Sequence, residues 1–65
     1  MRKLIARWES RGGKSWYELF QLSTGFVYYG EKCSGHFNGS NTEEAIIEME
    51  KKIAMFESVK MKRTL

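Results

Sequence analysis

The apolar positions Leu4, Ile5, Ala6 and Trp8 sit among Lys3, Arg7 and Glu9 and predict a strand over residues 3–10. Arg11-Gly12-Gly13-Lys14 follows, a loop with two residues that tolerate positive φ. An aromatic-rich segment predicts a second strand over 15–22. Ser23-Thr24-Gly25 reads as a turn, and residues 26–30 as a third strand. Glu31 to Asn41 is loop-like, with Gly35 and Gly39, and has room for a short fourth strand around Ser34 to Phe37.

The pattern then changes period. Ser40-Asn41-Thr42-Glu43 fits a capping box, and Asn41 or Thr42 serves equally well as N-cap. No Gly or Pro interrupts residues 43–59, so a helix is expected there, followed by a basic tail at 60–65. Ile46, Met49, Ile53 and Phe56, with Ala45 beside them, form one core-facing stripe. Ile47, Ala54 and Met61 recur every seven residues on another side, and Met55 also points outward. The expected fold is α+β: a three-stranded antiparallel meander packed on one C-terminal helix, β-β-β-α, in a single domain.

The register of the first hairpin follows from its loop. If the turn closes symmetrically about Gly12-Gly13, partner numbers sum to 25. Trp8 then faces Tyr17, Ala6 faces Leu19 and Leu4 faces Gln21. On the other side Arg7 faces Glu18, Ile5 faces Phe20 and Glu9 faces Trp16. The opposite charges of Arg7 and Glu18 support this register. One helix covers one face, expected to carry Leu4, Ala6, Trp8, Tyr17 and Leu19. The open face would hold Ile5, Arg7, Trp16, Phe20 and Leu22, with either Val27 and Tyr29 or Phe26 and Tyr28.

Composition narrows the function classes. A chain of 65 residues hides only about 60% of the surface it exposes unfolded, so its stability margin is thin. One Cys and one His leave no internal disulfide and no all-Cys/His zinc site. The net charge of +3 is uneven: residues 1–16 sum to +4 and residues 43–57 to −3. The glutamates at the helix start complement its dipole. Met1-Arg2-Lys3 resembles the start of a signal peptide, but Leu4-Ile5-Ala6 is too short an apolar stretch, and no window suits a membrane span. The expectation is a cytoplasmic protein with a reduced Cys33.

No catalytic set emerges. Gly13-Lys14-Ser15 lacks the earlier glycine of a phosphate loop, that position being Trp8. Cys33 and His36 have C-x-x-H spacing but no further Cys or His to complete a metal site, and no Asp occurs in the chain. No metal, cofactor or enzyme activity is expected. Basic residues interleaved with aromatics suit nucleic acid, and Arg7, Arg11, Lys14 and Trp16 are the candidates. Exposed Ile5, Phe20, Leu22, Ile47 and Met55 are candidates for a protein interface.

Arg11-Gly12-Gly13-Lys14-Ser15-Trp16, the strands after it and the helix opening Thr42-Glu43-Glu44-Ala45-Ile46 resemble a known plan. It is similar to the sheet-plus-helix DNA-binding domains of plant ethylene-response factors and of the arm-site-binding domains of tyrosine recombinases. The resemblance covers residues 4–57 and implies a sheet laid in the major groove, with Arg7, Arg11, Lys14 and Trp16 as contacts. Strand two here carries Glu18 and Gln21, and strand three Val27 and Tyr29, where that family favours basic residues. The expectation is a small DNA-binding module, DNA ahead of RNA. The alternative is a small regulator or inhibitor that binds a larger protein through the open sheet face or the Ile47 stripe. A phage or mobile-element source suits either, and a homodimer would bury one of the two surfaces.

Overall fold

The computed structural model describes residues 2–57 and 61–64. Five strands and one helix are laid out as β1 Lys3–Glu9, β2 Trp16–Leu22, β3 Gly25–Gly30, β4 Ser34–Asn38, α1 Thr42–Phe56 and β5 Lys62–Arg63. All neighbouring strands are antiparallel, in the order β4-β3-β2-β1-β5. The fold is α+β with one C-terminal helix on one face, but the sheet is broader than three strands. The fourth strand is real and five residues long. Part of the expected basic tail forms a fifth, which pairs Trp8 with Arg63 and Glu9 with Lys62.

The first hairpin keeps the 25-sum register from Glu9–Trp16 to Ala6–Leu19. Its six-residue connection closes when the Ser10 N–H donates to the Ser15 carbonyl and the Ser15 N–H to the Ser10 hydroxyl. Gly12 (φ 83°) and Gly13 (φ 70°) supply the left-handed turn that other residues adopt at a cost. Beyond Ala6 the register shifts. Leu4 pairs with Phe20 and Lys3 with Gln21, leaving Ile5 as a bulge residue. The expected faces of two residues are therefore exchanged: Leu4 lies on the open side with its partner Phe20, and Ile5 packs against the core.

Ala6, Trp8, Tyr17, Leu19, Phe26 and Tyr28 form the sheet side of the core. Ala45, Met49 and Ile53, four residues apart, form the helix side, with Ile46 partly buried beside them. Met61 lies beyond the helix and closes the same core, so it does not belong to an outward helical stripe. Phe56, expected in the core stripe, is 44% exposed at the helix end. Asn41 is the N-cap, its side chain accepting from the Glu44 N–H at 3.1 Å. The helix ends at Phe56, earlier than the expected 59, and residues 58–60 lie outside the described residues.

Polar contacts tie helix to sheet at the rim of the core. The Trp8 indole N–H donates to Glu50 at 3.2 Å, and the Tyr17 hydroxyl donates to Glu57 at 2.7 Å. Lys32 completes the second contact, 3.3 Å from the Glu57 carboxylate and 3.2 Å from the Phe56 carbonyl. The hydrogen bond from Tyr17 outweighs burial and holds the Glu57 carboxyl below its ordinary pKa, with Lys32 adding to the effect. Burial, and then that same bond, push Tyr17 upward.

Candidate functional site: the open sheet face

Strand alternation sends the neighbours of the buried residues to the other side of the sheet. The helix covers Tyr17 and Leu19, so Trp16, Glu18, Phe20 and Leu22 face away from it. Phe26 and Tyr28 are buried, which assigns Val27 and Tyr29 to the open face. From β1 come Leu4, Arg7 and Glu9, and from β4 come Ser34 and His36.

Two clusters organise this face. Arg7 sits at the first, bonded to Glu18 across the strand pair and to Glu9 two residues along its own strand, 3.2 Å away. Contacts to Glu9 and then Glu18 raise the Arg7 pKa further, so the cation is permanent. The three groups sum to one negative charge. The second cluster is aromatic. Phe20 and Tyr29 meet edge to face at a centroid distance of 5.9 Å. Arg2 lies 4.8 Å from the Phe20 centroid and 5.3 Å from that of Tyr29, and donates a 3.1 Å hydrogen bond to the Tyr29 hydroxyl.

Of the candidate nucleic-acid contacts, Arg7 and Trp16 share the open face, whereas Arg11 and Lys14 belong to the hairpin tip. Trp16 is half-buried opposite Glu9, and Arg7 is held by two carboxylates. Arg11 and Lys14 are exposed at the hairpin tip and make no ion pair among the described residues. Arg11 shares a shallow depression there with Glu9, Ser10 and Lys62. Among the protein-interface candidates, Phe20 and Leu22 lie on the open face, whereas Ile5 is turned toward the core. Ile47, 51% exposed, and Met55, 82% exposed, stand apart from that face on the helix. Leu4, expected on the covered face, lies on the open face instead, while Glu9 is opposite Trp16 as the 25-sum register placed it and Arg2 joins them over Phe20 and Tyr29.

Cys33 packs partly against the core, where burial raises its thiol pKa. His36 is exposed on β4. No three His, Cys, Asp or Glu side chains gather as a metal site among the described residues. Nor is any helix among them long and apolar enough to cross a membrane. Comparison with protein-family models, curated proteins and solved structures found no match.

Proposed function

We infer that this chain is a small protein-recognition module, a regulator or inhibitor of a larger protein, without catalysis of its own. Its binding surface is the open sheet face, with Arg2, Phe20 and Tyr29 at its centre and Leu4, Leu22 and Val27 around them. The observation that carries this reading is the pairing of Arg7 with both Glu9 and Glu18. The cation at the middle of the sheet is already neutralised, and a third charge leaves the cluster negative. A phosphate backbone gains nothing there. A protein surface does gain from a half-exposed aromatic pair capped by an arginine, since Tyr and Arg are enriched where interfaces bind tightly.

The DNA reading survives at one place, the hairpin tip, where Arg11, Lys14 and Lys62 are exposed. Titration of a labelled duplex at low and moderate salt separates the two. The protein reading expects no saturable binding even at low salt. Binding that falls steeply with salt and disappears in an Arg11→Glu, Lys14→Glu variant would establish the DNA reading instead. The positive arm is affinity capture with the intact chain and with a Phe20→Ser, Tyr29→Ser variant. A partner retained equally by both would remove the open face from the proposal.

A further inference from the structure

The two edges of the sheet are built differently. At one edge β5 is two residues long and both are cations, Lys62 and Arg63. Short length and positive charge discourage the addition of another strand. The opposite edge, β4, lacks these devices. Ser34–Asn38 contains no Lys, Arg, Asp, Glu or Pro, and its pairing with β3 runs without a register shift. Among the described residues β3 is its one strand neighbour, so alternate backbone N–H and C=O groups of β4 point away from the sheet.

We propose that β4 docks a second copy of this chain, the two β4 strands pairing antiparallel about a two-fold axis at His36. The strand is complementary to itself in that arrangement. Ser34 of one copy lies opposite Asn38 of the other, polar against polar on exposed positions. Gly35 lies opposite Phe37, small against large. A Cβ at Gly35 would stand 2.6 Å from the Tyr28 hydroxyl, so the Tyr28 side chain already reaches across that position. Tyr28 stacks on its own Phe37 with centroids 5.0 Å apart, and the Phe37 of the other copy extends this stack across the seam. The result is a ten-stranded sheet with both helices on one side and both open faces contiguous on the other. This inference is independent of what the open face binds.

Sedimentation equilibrium at neutral pH, up to millimolar chain concentration, tests the seam with His36→Glu and His36→Lys variants. The intact chain is expected to reach twice the 7.6 kDa mass. Each variant alone places like charges face to face and should weaken association by about fivefold. Mixing the two variants should restore it, because opposite charges then meet. Far-UV circular dichroism confirms that both variants keep the fold. A chain that stays monomeric at millimolar concentration overturns the proposal. So does association indifferent to both charges, a mixture that fails to recover, or association lost in Phe20→Ser, which lies on the open face two strands from β4.

Discussion

Tyr17 and Glu57 are 40 residues apart in sequence, yet their contact pins the end of the helix to the middle of the sheet. The depressed Glu57 pKa gives this contact a pH signature. Its stabilisation is complete above the ordinary carboxyl value of 4.5 and is lost as pH falls through the lower folded-state value. Glu57→Gln is therefore expected to lower the Tm at neutral pH and to flatten its decline below about pH 4.5. Thermal melts of both proteins between neutral and acidic pH check this; parallel curves would assign the acid sensitivity to other carboxylates. No local pattern in the sequence announces this contact. Glu57 follows the last helical turn, and only the folded path of the chain brings Tyr17 and Lys32 to it. The Arg7–Glu18 pair was legible because both residues sit at strand positions whose numbers sum to 25.

At the scale of elements, what could be read was what local chemistry repeats. The helix start is one example, written in the residues that can cap it. Asn41→Ala removes the acceptor for the Glu44 N–H and is expected to cost about 1 kcal/mol, measured by urea denaturation. A loss near zero would mean that water or Thr42 replaces the cap. The first hairpin is another example, since its even loop length preserves alternation down to Ala6. The helix end, the fifth strand and the shift at Ile5 were hidden for physical reasons. Two residues of β5 are too few to show a period, and extending the helical spacing past Phe56 misplaced Met61. Leu4 and Ile5 are both apolar, so the alternation at the start of β1 accepts either one inward.

The whole molecule divides by face. One helix and Met61 close a core on one side, while the other side remains a mixed aromatic and charged surface. Adjacent residues should therefore respond oppositely to truncation. Leu19→Ala, in the core, is expected to cost about 2–5 kcal/mol, comparable with the entire stability of a domain this small. Phe20→Ala should cost about 1 kcal/mol or less in the same denaturation measurement, and its main effect should fall on partner capture. Equal destabilisation by both substitutions would mean that the open face is not a free surface but part of the stability of the fold. The bulge at Ile5 adds a tolerance to this division. It absorbs one residue without moving the pairing of Lys3, Leu4 or Ala6. A chain one residue shorter at this point would resume regular pairing with Arg2 still above Phe20 and Tyr29. Deleting Ile5 is therefore expected to leave Leu4 and Ala6 on their assigned faces and to remove only the contact that Ile5 makes with the core.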